Sequence, residues 1–257
     1  MSSPLHPGIS VSIVSHGQMT MVANLLKDLD RWCSSSIVEV ILTLNIVEPH
    51  VFNSEGFNFV VRVIQNKIPK GFAANHNYAA SRAQGDMLCI MNPDLRIQED
   101  VFTPLTEVIN LYPQVGLVAP RVIDDQGKVE DSARYFPHPL EVLGKAMGGG
   151  SRRFESSCEA VIFPEWVAGM LLLIRLPLFQ KMNGLDERYY LYYEDVDFCA
   201  RLALAGYQVA YVNATQVMHD AQRTSHRNLR YMRWHLSSMI RFFLSKVYRR
   251  VRKQRLI

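Results

Sequence analysis

The chain has 257 residues, 48% hydrophobic and 20% charged, which is enough to bury a substantial core as one large domain or two small ones. Its longest strongly apolar stretch, residues 167–174, is far short of the roughly 20 residues a membrane-spanning helix needs, and Pro4, His6, Pro7 and Gly8 break up a start that has no secretion-signal pattern. The net charge of +4 is unevenly placed: 11 of the 28 basic residues fall in the last 35 positions, where there is no acid, so an acidic body ends in a basic tail.

Strand and helix signals alternate through the first hundred residues. Residues 9–14 form a β-rich run ending at Ser15, His16 and Gly17, and residues 21–32 follow with helical spacing at Val22, Leu25, Leu26 and Leu29. Residues 38–44 read as a second strand ending at Asn45, 59–64 as a third, 72–83 as an alanine-rich helix, and 87–91 as a fourth strand. Such alternation predicts an α/β fold, a mostly parallel sheet with helices on its faces. Ligands of open sheets bind outside the carboxyl ends of the strands, where Ser15 to Gln18, Asn45 and the turn Asn92, Pro93 and Asp94 all fall. That turn has two readings: ordinary turn chemistry, since Asn, Pro and Asp all favour turns, or metal chemistry through Asp94. No GxGxxG follows the first strand and no GxxxxGK[ST] occurs anywhere, which disfavours a dinucleotide oxidoreductase or a P-loop NTPase.

Further along, Gly148, Gly149, Gly150, Ser151, Arg152 and Arg153 read as a flexible surface loop. The four cysteines, Cys33, Cys89, Cys158 and Cys199, have no CxxC spacing, so buried reduced thiols in a cytoplasmic protein are expected, and no zinc site. In residues 166–207, Asp195 is a plausible N-cap for a helix with Val196, Cys199, Leu202 and Ala203 on its apolar face and Gly206 at its end. The cluster Tyr189, Tyr190, Tyr192 and Tyr193 offers packing or a stacking surface for a sugar ring. Glu194, Asp195 and Asp197 crowd like charges together, which repel unless solvated, neutralised or used.

The pieces "VSIVSHG", "GFAANHNYAASRAQGD" leading into "NPD", "WVAGMLLLIR", "NGLDERYYLYYEDVDFCARLALAGY" and "VMHDAQRTS", in this order, resemble inverting family 2 glycosyltransferases of the GT-A fold, in particular their rhamnosyltransferase-like branch. The resemblance covers the chain to about His226 and implies two regions, a GT-A domain over 1–226 and a tail over 227–257. It implies Asp195 as the catalytic base. Asp94, with His219, is implied to hold Mg²⁺ or Mn²⁺ against the nucleotide diphosphate, a task that suits hard oxygen ligands. Ser15, His16, Asn45, Gly71, Phe72, Asn77 and Asn92 are implied as contacts of the nucleotide-sugar donor, and Trp166, Gly169 and Glu194 as the acceptor side. Asn45 stands where many relatives carry an acid, and Asn92 departs from the DxD pattern. The likeness points to dTDP-rhamnose as donor and polyprenyl-diphosphate-linked N-acetylglucosamine as acceptor, in O-antigen synthesis. Another donor, UDP-GlcNAc or UDP-galactose, or a catalytically silent partner of a polysaccharide assembly complex, remains the alternative.

The tail reads by itself as an interfacial helix. Leu229, Met232, Leu236, Met239, Ile240, Phe243, Val247 and Val251 recur at helical spacing among Arg and Lys, with Trp234 and Tyr248 suited to a headgroup zone. A peripheral place on anionic lipid at the cytoplasmic face of a bacterial inner membrane is expected, with core packing of the stripe as the competitor. Nucleic acid is not expected, because no RNA- or DNA-binding motif accompanies the charge.

Overall fold

A computed structural model describes residues 8–49, 52–146, 159–220 and 229–255. The start of the chain through Pro7, the segment from Gly148 to Arg153, Cys158, and Arg223, His226 and Arg227 lie outside these residues.

In chain order the elements are β1 (Ile9–Ser15), α1 (Met19–Cys33), β2 (Ile37–Leu44), β3 (Val60–Gln65), α2 (Phe72–Ala80), β4 (Met87–Met91), β5 (Leu95–Arg96), α3 (Phe102–Leu111) and β6 (Val115–Ile123). They continue with β7 (Ala133–Arg134), α4 (Pro139–Ala146), β8 (Val161–Ile162), β9 (Trp166–Val167), β10 (Leu171–Arg175), α5 (Leu176–Lys181), α6 (Glu194–Leu204), β11 (Gln208–His219), α7 (Leu229–Leu244) and α8 (Lys246–Arg255). The main sheet runs β3-β2-β1-β4-β10-β6-β11-β5, with β8 also pairing β11, and β7 and β9 form a second small ladder. Six strands share one direction. β10 opposes both β4 and β6, and β5 and β8 oppose β11, so the sheet is mixed with a parallel majority.

The burial of each strand explains its sequence. β4 is buried at all five positions and β1 at all but Val14, as strands covered by helices on both faces must be, whereas β3 at the sheet edge has no fully buried residue. The apolar run at 167–174 supplies the end of β9 and most of β10, which is enclosed between β4 and β6. Cys33, Cys89 and Cys199 are buried free thiols, and burial pushes each thiol above its ordinary pKa, Cys33 to about 12.

One local expectation is corrected. Asp195 is not an N-cap: α6 is entered through Tyr192 and Tyr193, both left-handed at φ 68, and Asp195 is the second residue inside the helix. Asp197, in the first turn of α6, is buried and pairs with Arg201 at 2.7 Å across one turn, while the same guanidinium donates to the carbonyls of Met182 and Gly184. Removing one member of a buried pair strands the other, so Asp197→Ala is expected to lower unfolding free energy by about 3 kcal/mol in urea denaturation. A loss under about 1 kcal/mol would mean that Arg201 behaves as a surface cation.

The tail also differs from a single amphipathic helix. It breaks at Ser245 between α7 and α8, and Phe242, Tyr248 and Val251 are buried in the same cluster as Tyr189, Tyr193 and Phe198. Met239, Phe243 and Val247 pack against that cluster, while Leu229, Met232, Leu236 and Ile240 stay exposed. Trp234 and Tyr248, expected at headgroup depth, turn inward: Trp234 lies 4.7 Å from Tyr190 and Tyr248 5.5 Å from Phe242, centroid to centroid. Among the described residues no helix is long and apolar enough to cross a membrane.

Candidate active site

The carboxyl ends of β1, β2 and β4 gather the first group of candidates. Ser15 is fully buried, and its Oγ accepts from the Gln18 N–H at 3.2 Å, while Glu48 accepts from the N–H groups of Gly17 and Met19 and so closes the start of α1. The Asn45 amide has four protein partners: it donates to His16 Nδ1 at 3.2 Å and to the Lys70 carbonyl at 2.9 Å, and accepts from Asn66 Nδ2 at 2.9 Å and the Lys70 N–H at 2.8 Å. That is the full valence of an amide, so Asn45 fixes the loop between β3 and α2 instead of offering a free group to a base. Asn66 extends the network to Asn75 at 2.7 Å.

Gly71 and Phe72 start α2 against the tyrosine loop. A Cβ on Gly71 would stand 2.6 Å from the Tyr190 carbonyl oxygen and 2.9 Å from its Cα, both backbone atoms, so glycine is required there for close approach. The Phe72 N–H donates to that same carbonyl at 2.9 Å. The Asn77 amide donates to the Leu185 carbonyl and to Glu187, and accepts from the Leu185 N–H, pinning the segment 185–187, while it lines a cavity with Lys70 and Gly71. Asn77 is thus a brace, with partners more than a hundred residues distant in sequence.

Asp94 and His219 are brought together by strand pairing. β5 follows the 92–94 turn and pairs with the end of β11, His219 opposite Leu95, and the Asp220 N–H donates to the Asp94 carbonyl at 2.9 Å. His219 Nε2 lies 3.3 Å from Asp94 Oδ2, and Asp94 Oδ1 is buried without a hydrogen-bond partner. Nδ1 of the same ring lies 3.1 Å and 3.2 Å from the two oxygens of Glu130. The hydrogen bond to Asp94, reinforced by the charges of both carboxylates, raises the pKa of His219 to about 9 against the opposing effect of burial.

Asp195 is linked to the Asp94 turn through the segment Gly169 and Met170. Its Oδ2 accepts from the Gly169 N–H at 3.0 Å and its Oδ1 from the Val196 N–H at 2.8 Å, so each oxygen keeps a lone pair for a further proton donor. The Asn92 N–H donates to the Met170 carbonyl at 2.9 Å, which ties the 92–94 turn to the segment holding Asp195. A Cβ on Gly169 would meet the Phe72 ring at 3.8 Å, so the start of α2 borders the same space. Trp166 donates from Nε1 to the Tyr135 carbonyl at 2.8 Å and is covered by the Arg134 guanidinium 5.2 Å from its ring centre. Burial pushes the Asp195 carboxyl above its ordinary pKa, opposed by its backbone N–H partners and by the charge of Arg134. Glu194 is pushed well above, by burial first and by the charge of Asp195 second, and its Oε2 has no hydrogen-bond partner.

The sequence reading missed the segment 130–134. Its start pairs with the end of β6, the Glu130 N–H donating to the Val122 carbonyl at 2.9 Å, which sets Glu130 beside His219; its end pairs Ala133 with Val167 and Arg134 with Trp166, which brings Arg134 to the surroundings of Asp195. The signal available was an acid and an arginine four residues apart in "EDSAR", which no periodicity distinguishes from a loop.

Over 253 residues the chain is 25% identical to rhamnosyltransferase WbbL of Escherichia coli strain K12, covering 93% of each protein. Over 155 residues it is 30% identical to the N-acetylglucosaminyl-diphospho-decaprenol L-rhamnosyltransferase of Mycobacterium tuberculosis, covering 56% of this chain and only half of that protein. Among solved structures it resembles GalNAc-T7, crystallised with UDP, GalNAc and Mn²⁺, with a TM-score of 0.64 at 16% identity over 85% of this chain and 44% of that one. Residues 43–169 match the family model described as glycosyl transferase family 2, a span that runs from the end of β2 through Asp94 to Gly169. Over that span, just under half of its length, the chain thus carries a glycosyl transferase family 2 domain on a GT-A fold, and it is a glycosyltransferase.

Proposed function

We propose that the chain transfers rhamnose from dTDP-rhamnose to N-acetylglucosamine on a polyprenyl diphosphate, inverting the anomeric carbon, with Mg²⁺ or Mn²⁺, in the synthesis of O-antigen or a related surface polysaccharide. The reading rests on one observation above all: a carboxylate held by two backbone N–H groups, Asp195, is tied through the segment Gly169 and Met170 to the turn that carries the Asp94–His219 pair. The names of the two rhamnosyltransferase relatives, one of them for a diphospho-decaprenol acceptor, support the sugar and the acceptor class.

The residues present fit a divalent cation. Asp94 Oδ1 is a buried oxygen without a protein partner, and His219 Nε2 stands beside the same carboxylate. Among the described residues no group of three His, Cys, Asp or Glu side chains could hold a metal alone, so the remaining ligands fall to water and the donor's phosphates, the usual arrangement for Mg²⁺. Bound there, the ion would neutralise charge on the leaving diphosphate. Ser15, His16 and Phe72 border the donor, with Asn45 acting through the loop it fixes, and Asn92 orients the ribose or Asp94.

Asp195 does the proton chemistry. The acceptor hydroxyl oxygen attacks the anomeric carbon as its proton passes to the Asp195 carboxylate, and the bond to the diphosphate breaks with its electron pair on the phosphate oxygen. Attack from the opposite face inverts the carbon. Trp166, Gly169 and Glu194 wall the acceptor side.

Glu130 serves His219 from behind, since a carboxylate on Nδ1 holds a metal-binding imidazole in its ligating tautomer and orientation. Glu130→Ala is expected to weaken Mn²⁺ binding in the presence of dTDP by about 10- to 100-fold with little change in thermal midpoint, and Glu130→Gln, which keeps an acceptor, by less. An unchanged Mn²⁺ affinity in Glu130→Ala would remove Glu130 from the site. The donor is tested with a panel of nucleotide sugars and Mn²⁺. Preferred turnover of dTDP-rhamnose supports the reading, turnover of UDP-GlcNAc or UDP-galactose in its place reassigns the donor, and inertness with all of them favours a silent assembly partner.

A further inference from the structure

α7 has two faces with different occupants. Its inner face seats the loop that leads into Asp195: Trp234 packs on Tyr190, His235 meets Tyr192 and Tyr193 edge-on, and the Ser238 hydroxyl donates to the Leu191 carbonyl at 2.9 Å. Phe242, fully buried, completes that face against Tyr193. The outer face presents Leu229, Met232, Leu236, Ile240 and Leu244, between 49% and 72% exposed, at steps of three or four residues that place them in one stripe.

We propose that this five-residue stripe, and not the tail as a whole, is the surface by which the protein lies on anionic lipid. Charge complementarity selects the occupant. Residues 229–255 carry nine bases and no acid, and Arg230, Arg233, Arg241 and Lys246 stand exposed around the stripe. A second copy of the chain would bring an equally basic surface against it, whereas an anionic bilayer offers phosphate to the bases and an acyl boundary to the leucines. Nucleic acid would satisfy the bases and leave the aliphatic stripe in water.

The inference deepens the reading of a lipid-linked acceptor and rests on it for its consequence. With the loop on one face of α7 and lipid on the other, the two are separated by about one helix diameter, roughly 10 Å. The start of α6 is therefore held near the headgroup layer, where the diphosphate of a polyprenyl acceptor and its first sugar are presented. It follows that the stripe governs attachment without touching the loop.

The test uses the full chain with Met232, Leu236 and Ile240 all changed to Ser. Wild type is expected to float with phosphatidylcholine vesicles containing phosphatidylglycerol, less so as salt rises, and not with phosphatidylcholine alone. The triple variant should lose at least about tenfold in binding to the anionic vesicles at an unchanged thermal midpoint, with transfer to a short soluble acceptor analogue preserved. A second variant, Arg233→Gln with Arg241→Gln, should weaken vesicle binding through charge alone. Undiminished binding by the triple variant would overturn the proposal, as would a wild-type dimer that the serines dissociate, or a preference for nucleic acid over vesicles. Vesicle binding without any transfer would refute the glycosyl-transfer reading and leave the surface standing.

Discussion

Asp195→Asn is expected to leave the protein folded and able to bind nucleotide, yet to cut turnover by about 10²- to 10⁴-fold, the typical contribution of a positioned general base. An amide presents only one acceptor oxygen, so the variant gives up one of the two N–H bonds from Gly169 and Val196, a cost of about 1 kcal/mol. That cost is offset because no ionised carboxylate is then buried. Burial raises the Asp195 pKa in the folded chain, so its ionisation erodes stability as pH rises from the ordinary carboxylate range through that raised value. The stability of the variant relative to wild type should accordingly increase with pH across that window. The same shift fixes the acid limb of the wild-type rate: kcat/KM should fall as pH falls through a value above the ordinary carboxylate range. Glu194 supplies the internal contrast. Its carboxyl is pushed well up by burial first and by its neighbour's charge second, which favours the protonated form, and Glu194→Gln, which mimics that form, should keep turnover within about tenfold. Collapse in Glu194→Gln with survival in Asp195→Asn would exchange their roles.

Asp94→Ala should abolish metal-dependent nucleotide binding while the sheet remains intact. The turn itself is secured by backbone bonds, Asn92 N–H to the Met170 carbonyl and Asp220 N–H to the Asp94 carbonyl, neither of which needs the side chain. What the substitution removes is the carboxylate beside His219 Nε2 and its unpartnered buried oxygen. Calorimetric titration of dTDP with and without Mn²⁺ is the measurement. Wild type should bind more tightly with the ion, and the variant should show one weak affinity under both conditions. If Asp94→Ala keeps the full effect of Mn²⁺, Asp94 is a turn residue and nothing more.

Whatever depends on local pattern was legible in the sequence. The strands β1, β2 and β4 end within a residue of where their apolar runs end, so Ser15, Asn45 and Asp94 could be placed at the strand ends from spacing alone. Position is not valence, however. Asn45 spends all four hydrogen bonds on protein partners, and Asn77 braces a segment over a hundred residues away, and neither fact has a local signature. Glu130 was missed because its place beside His219 depends on two pairings at once, its own N–H donating to the Val122 carbonyl at the end of β6 and β6 lying parallel to β11. The capping preference of Asp suggested a boundary two residues away from the observed one, because two tyrosines with left-handed backbones, an uncommon choice, make the turn into α6. In the tail the periodic stripe was real, but helical spacing alone could not say that Phe242 and Val251 face the core while Leu236 and Ile240 face out.

The most direct test of the account is transfer itself. Labelled dTDP-rhamnose and Mn²⁺ are incubated with N-acetylglucosaminyl-diphospho-polyprenol, and the organic phase is counted for wild type and for Asp195→Asn. Wild type should place label in the lipid, with the sugar linkage of opposite anomeric configuration to the donor, and Asp195→Asn should leave the lipid unlabelled although it still binds dTDP. Equal labelling by the two proteins, or a product that retains the donor configuration, would contradict the assignment of Asp195 as the base of an inverting displacement.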